Sequence, residues 1–277
     1  MPRTNPSHLS GIKADPQSSE DTRGIPLQQV GISRVRYPIL ISGWEKNSES
    51  QREVDGSFDL TVSLAAQKRG IHMSRLVESL QEWKSALGPN LLQNFLQELR
   101  QKQGAESAVM SCFFTWYVDR PAPETGNPAW QGIETTWHAS QDGEGGRSGY
   151  SLSIPVTTLC PCSRAISDYG AHSQRGWISV KLDWNAGDEI ISPGEIFEKL
   201  QHAGSAPIYP LLKRPDERHV TMTAYEQPAF VEDVARQAVV SLREDSRISD
   251  FRIEVRNEES IHTHDAIAVV SSGYSPE

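Results

Sequence analysis

The chain has 277 residues, 37 % of them apolar, and a formal net charge of −9 at pH 7. That is enough apolar material for one large domain or two smaller ones with real cores, which excludes disorder of the whole chain. The acidic balance excludes broad binding to nucleic acid or to a membrane surface, because phosphate-rich partners repel it at long range, while a local basic cluster could still hold a phosphate ligand. No apolar run reaches the ~20 residues a membrane span needs, and Met1–Asn5 lack the apolar core of a secretory signal, so the expected compartment is the cytoplasm. Three cysteines, Cys112, Cys160 and Cys162, are too few for a secreted disulfide framework.

Residues 1–23 are rich in Pro, Ser, Asp and Lys without periodicity, and are expected to form a disordered arm. Alternating or β-branched runs predict strands over 30–42 and 57–66. Two helices follow, one over 74–84 capped by Ser74 with Leu76, Leu80 and Trp83 on one face, the other over 91–102 burying Leu92, Phe95, Leu96 and Leu99. Strands over 108–119, where Cys112 reads as a small core group, and 129–139 close the first half. The Gly/Asp-rich stretch 141–149 reads as a turn or hinge.

The order then repeats. Strands over 149–157 and 176–184 precede a helix opened by Ser192-Pro193-Gly194-Glu195, a capping box with proline at the first helical position. A long loop over 205–227 leads to a helix over 228–243 and to strands over 250–257 and 265–272. Each half reads strand-strand-helix-helix-strand-strand, which is α+β with antiparallel sheets covered by helices on one face. The expected division is an arm at 1–23, one module at 24–145 and a second at 146–277 that carries most of the active site.

Three polar clusters interrupt this pattern. Thr157-Thr158-Leu159-Cys160-Pro161-Cys162-Ser163 ends a strand with two thiols, and His172 follows in Gly170-Ala171-His172-Ser173-Gln174-Arg175. Thiolate and imidazole are soft ligands for zinc and related metals, and so few protein ligands leave a coordination position open for catalysis. The bland alternative makes both cysteines incidental and His172 a loop cap. Lys213-Arg214-Pro215-Asp216-Glu217-Arg218-His219 is either a solvated turn or a carboxylate beside phosphate-binding cations. In Asn257-Glu258-Glu259-Ser260-Ile261-His262, Glu259 and His262 could pair as acid and base, or decorate a surface loop. Glu232 in Val231-Glu232-Asp233 either complements a helix dipole or accepts hydrogen bonds from a ligand's N–H edge.

Taken together these segments resemble the type IB family of GTP cyclohydrolase I. The resemblance is carried by Arg69-Gly70-Ile71-His72-Met73-Ser74-Arg75, Leu159-Cys160-Pro161-Cys162-Ser163, Ala171-His172-Ser173-Gln174-Arg175, Leu212-Lys213-Arg214-Pro215-Asp216-Glu217, Phe230-Val231-Glu232-Asp233 and Glu259-Ser260-Ile261-His262-Thr263-His264-Asp265, spread over residues 25–272. It departs from the family at Ser173, where asparagine is common. The resemblance implies tandem tunnelling-fold modules, a homotetramer with active sites near subunit interfaces, and conversion of GTP and water to 7,8-dihydroneopterin triphosphate and formate, the first step of tetrahydrofolate biosynthesis.

It further implies Cys160, His172 and Glu217 as ligands of a divalent metal, which could be zinc, manganese or ferrous iron, with Cys162 a neighbouring thiol. Glu259 and His262 would transfer protons, and Glu232 would hold the guanine. Lys68, His72, Arg75, Arg175, Lys213 and Arg214 are the candidates for the triphosphate. The competing expectations are a related cyclohydrolase with a cyclic phosphate product, the nitrile reductase of queuosine synthesis, and a non-catalytic protein in which metal staples an assembly.

Overall fold

A computed structural model describes residue 17 and residues 19–45, 51–185 and 187–273. The first half contains β1 (Leu27–Ile41), β2 (Arg52–Leu64), α1 (Met73–Glu82), α2 (Leu92–Gln103), β3 (Ala108–Asp119) and β4 (Trp130–Gln141). The second contains β5 (Gly146–Leu159), α3 (Pro161–Ile166), β6 (Ser173–Asn185), α4 (Pro193–Leu200), β7 (Ala206–Pro207), α5 (Arg214–Glu226), α6 (Val231–Arg243), β8 (Asp250–Asn257) and β9 (Ala266–Ser271). The strands form one antiparallel sheet in the order β1-β2-β3-β4-β5-β6-β8-β9, with β7 paired to β5. The expected duplicated α+β order is present, and the two halves are joined by a continuous ladder between β4 and β5.

Alternation explains the layering. On β3 the residues Met110, Cys112, Phe114 and Trp116 are buried, while Phe113 and Tyr117 on the other parity are exposed. Leu76 and Leu80 of α1, Leu92, Phe95, Leu96 and Leu99 of α2, and Val234, Ala235, Ala238 and Leu242 of α6 cover the apolar face. Aromatic rings fill the centre: Trp44 stacks on Trp116 at 5.5 Å, and Trp137 meets Tyr150 edge-on at 5.6 Å. The Tyr150 hydroxyl donates to the Ile191 carbonyl at 3.0 Å, so its burial leaves no orphan. Burial also raises the Cys112 thiol well above its ordinary range, as suits a core thiol.

Three local expectations need correction. Ser74 is not the cap of α1; His72 is, and Ser74 lies inside the helix. The stretch 205–227 is not a long loop, since it holds β7 and the thirteen-residue α5. That helix escapes a periodicity test because only Asp216 and Ala224 in it are buried. Its start is set by a polar device: the Asp216 carboxylate accepts from the backbone N–H of Lys213, Glu124 and Thr125, each at 2.8 Å, and from the Thr125 hydroxyl at 2.8 Å. Burial alone would raise the Asp216 carboxyl, but these donors outweigh it and hold it far below the carboxylate range. The short α3 was also not anticipated.

Of the expected arm, residues 1–16 and 18 lie outside the described residues. Within the remainder, Glu20 bridges Lys68, and the Arg69 N–H donates to the Ser19 carbonyl at 3.2 Å.

Candidate active site

β5 ends where the chain must turn, and Cys160 occupies the N-cap of α3 with Pro161 at the first helical position. The Cys160 sulfur accepts from the Ser163 N–H at 3.4 Å, and the Cys160 N–H donates to the His172 carbonyl at 3.1 Å. This brings the cysteine turn and the start of β6 side by side. Cys160 is half-buried and Cys162 exposed, and both are free. His172 immediately precedes β6 and Gln174 is the second residue of that strand, and their side chains meet there. His172 Nδ1 lies 2.9 Å from Gln174 Oε1, and because an amide oxygen only accepts, this pairing puts the proton on Nδ1 and leaves the Nε2 lone pair free.

Gln174 extends the network. Its Nε2 donates to Thr158 Oγ1 at 3.0 Å and to Glu259 Oε1 at 3.5 Å, linking the imidazole to a carboxylate on the β8–β9 connection. In that connection the His262 N–H donates to the Glu259 carbonyl at 3.4 Å, and the rings of His262 and His264 stack at 5.1 Å. The turn is anchored to β6 by Glu258 N–H donating to the Arg175 carbonyl at 2.8 Å. From the helical layer, Glu232 enters in the first turn of α6, whose N-terminus is closed by Asp233 accepting from the Phe230 N–H at 3.1 Å.

These elements enclose a cleft of about 380 Å³ lined by Cys160, Cys162, His172, Gln174, Glu232, Asn257, Glu259, His262 and His264. Six residues singled out in the sequence therefore meet in one place: Cys160, Cys162, His172, Glu232, Glu259 and His262. Glu217 does not join them. It is exposed in the first turn of α5, and although Arg164 of α3 stacks over Tyr225 of that helix at 4.5 Å, Glu217 lies eight positions back. At 1.5 Å per residue that is about 12 Å along the axis. Among the described residues no group of three or more His, Cys, Asp or Glu stands close enough within one chain to hold a metal ion.

Arg175, Lys213 and Arg214 are exposed and do not line the cleft. Lys68, His72 and Arg75 line a different cleft of about 470 Å³ in the first half, beside Gln103 and Gln67. Gln174, Asn257 and His264 were assigned no role from sequence, although all three stand in the quoted motifs. The i, i+2 spacing of His172 and Gln174 in extended chain was the signal that could have found the first.

The donor set fits a divalent metal of the softer kind: a half-buried thiol, an imidazole whose far nitrogen is already engaged, and a second thiol nearby. Fold and site together define a tunnelling-fold protein with a thiol, imidazole and carboxylate cleft. The uricase of Arthrobacter globiformis has the same architecture, with a TM-score of 0.53 at 8 % identity over 90 % of this chain and 96 % of that one. A hyper-thermostable mutant uricase aligns with a TM-score of 0.54 at 7 % identity over 91 % and 94 % of the two chains.

Sequence comparison is more specific. The family described as type I GTP cyclohydrolase folE2 matches residues 14–268. The GTP cyclohydrolase FolE2 of Kosmotoga olearia is 36 % identical over 261 residues, 94 % of this chain and 99 % of the relative. That of Paraburkholderia xenovorans is 37 % identical over 270 residues, 98 % of this chain and 97 % of the relative. The chain belongs to the type I GTP cyclohydrolase FolE2 family.

Proposed function

We propose that this chain is a metal-dependent GTP cyclohydrolase I, converting GTP and water to 7,8-dihydroneopterin triphosphate and formate at the head of tetrahydrofolate biosynthesis. The observation that carries this reading is the convergence of Cys160, His172, Glu259, His262 and Glu232 on one cleft in a chain of this family. Cys160 and His172 would hold the metal from the β5–β6 side with Cys162 adjacent, and Glu217, which stands outside the cleft in this chain, would complete the set only if the start of α5 draws in toward it. A divalent cation of zinc, manganese or ferrous iron bound there supplies Lewis acidity toward water and the purine.

The rest is work for the chain's own side chains. Glu232 accepts the ring N–H and an amino N–H of guanine, which orients the imidazole ring of the base toward the thiols. Glu259 and His262, one turn apart, move protons at that ring as it opens and as C8 leaves as formate. Gln174 holds His172 and Glu259 in a fixed relation, so neither swings away when the base enters.

The triphosphate falls to Lys68, His72, Arg75, Arg175, Lys213 and Arg214. Lys68, His72 and Arg75 front another cleft of the same chain, and a homotetramer that sets the first module of one copy against the second module of its neighbour would bring them to the base. In this reading the modules divide at 24–145 and 146–277, and the second carries most of the active site. No helix among the described residues is long and apolar enough to cross a membrane. The cytoplasm, where the nucleotide substrate is made, is the compartment this reading proposes.

The test is formate release from GTP by protein reconstituted separately with zinc, manganese and ferrous iron, with the pterin product followed by fluorescence after oxidation. Stoichiometric formate and pterin with at least one metal is expected. Absence of both with every metal overturns the reading.

A further inference from the structure

Asn257 closes β8 on the same parity as Phe251, Ile253 and Val255, the residues that pack beneath α6. It is 1 % exposed, and its Oδ1 has no hydrogen-bond partner among the described residues. Buried polar atoms are almost always paired, so a lone acceptor on a cleft-lining residue marks a carboxamide that gains its partner when it turns toward a donor brought in by a ligand. Asn257 lines the cleft that also holds Glu232. Room for the carboxamide is made by its ladder partner Gly176, where a Cβ would stand 2.9 Å from Oδ1 and 3.1 Å from methyl groups of Thr158 and Val156.

Guanine presents three N–H donors on one edge: the ring N–H and both hydrogens of the amino group. A carboxylate takes two of them side by side, one on each oxygen, and the third has to find a separate acceptor. Glu232 enters from the helix layer and Asn257 from the sheet layer beneath it. The geometry points to Asn257 Oδ1 as the acceptor of the second amino N–H, making it a specificity residue that reads guanine jointly with Glu232. This rests on the GTP reading of the cleft.

The role is tested by equilibrium titration of metal-loaded protein with GTP, with inosine triphosphate, which lacks the amino group, and with N2-methyl-GTP, which lacks one amino N–H. Wild type is expected to bind GTP at least about tenfold more tightly than either analogue, a free-energy difference of about 1.4 kcal/mol. Asn257→Leu, confirmed as folded by circular dichroism, reduces the preference for GTP over inosine triphosphate by about tenfold. Asn257→Asp keeps an acceptor in place and keeps the preference. A merely structural role would weaken both nucleotides equally and leave their ratio unmoved, so a folded Asn257→Leu with the wild-type ratio overturns the proposal. Should that variant fail to fold, equal affinity of wild type for GTP and N2-methyl-GTP overturns it unaided. Wild type that does not bind GTP at all overturns the parent reading instead.

Discussion

Cys160 and His172 sit at the ends of elements, not in their cores. Cys160 caps α3, and His172 precedes β6; neither belongs to the continuous apolar cluster that fills the molecule. Removing either side chain should therefore spare the fold. Cys160→Ala and His172→Ala are expected to lose bound metal and activity together while their circular dichroism stays that of wild type. A folded variant that keeps wild-type metal content would not have lost a ligand. Glu232 is separable from Cys160 and His172 because it comes from the first turn of α6, a different element of the cleft. Glu232→Gln is expected to weaken GTP binding at least about tenfold, equivalent to 1.4 kcal/mol, with metal retained. Wild-type GTP affinity in the metal-loaded variant would end its base-reading role.

At the scale of elements, α4 and the turn after α6 are tied by one guanidinium. Arg247 contacts Glu195 of α4 at 3.0 Å and Asp245 at 2.7 Å. Burial on its own would raise the Glu195 carboxyl, but the Ser192 N–H, Arg247 and the Ser192 hydroxyl outweigh it and hold it at about 2. Hydrogen bonds from Arg247, against a smaller effect of burial, hold Asp245 at about 2. Both native values lie below those of the unfolded chain, about 4. Their stabilisation is thus fully present above pH ~4 and is lost as pH falls from there toward 2. Arg247→Met is expected to lower the melting temperature at neutral pH and to flatten its fall between pH 4 and 2, followed by calorimetry across that range. An acid limb as steep as that of wild type would show that the triad is not its source.

For the whole molecule, the apolar cluster runs from Ile39 through both halves to Val255 and takes in Val231 at the cleft wall, but none of Cys160, Cys162, His172, Glu259 and His262 belongs to it. A metal added to such a frame serves chemistry and is not needed for folding. Chelation is expected to abolish formate release while leaving the cooperative unfolding transition and far-ultraviolet spectrum in place. Loss of the fold on chelation would instead mark a metal-stapled assembly. Exposed apolar groups near the cleft, including Ile166, Tyr169 and Ile261, are of the kind that subunit packing covers, and light scattering at four times the chain mass is the expected solution state.

How far the sequence reaches differs from element to element. Alternation on β3 and the 3.6-residue spacing of α2 and α6 follow from which side chains leave water, and those elements lie where the pattern places them. The motif residues Cys160, His172, Glu259 and His262 are visible as polar groups at strand ends for the same local reason. Helix α5 was hidden because its stability comes from Asp216 binding two backbone amides more than ninety positions away, and no local period records a contact of that span. The pairing of Gln174 with Glu259 and the orphaned Oδ1 of Asn257 arise from strand register across β6 and β8. Lys68, His72 and Arg75 stand apart from the cysteine cleft because they lie between β2 and the first turn of α1, in the other half of the sheet. Sequence determines which groups are polar and which must be buried; only the tertiary structure decides which of the polar groups face one another, because that is set by how distant strands align.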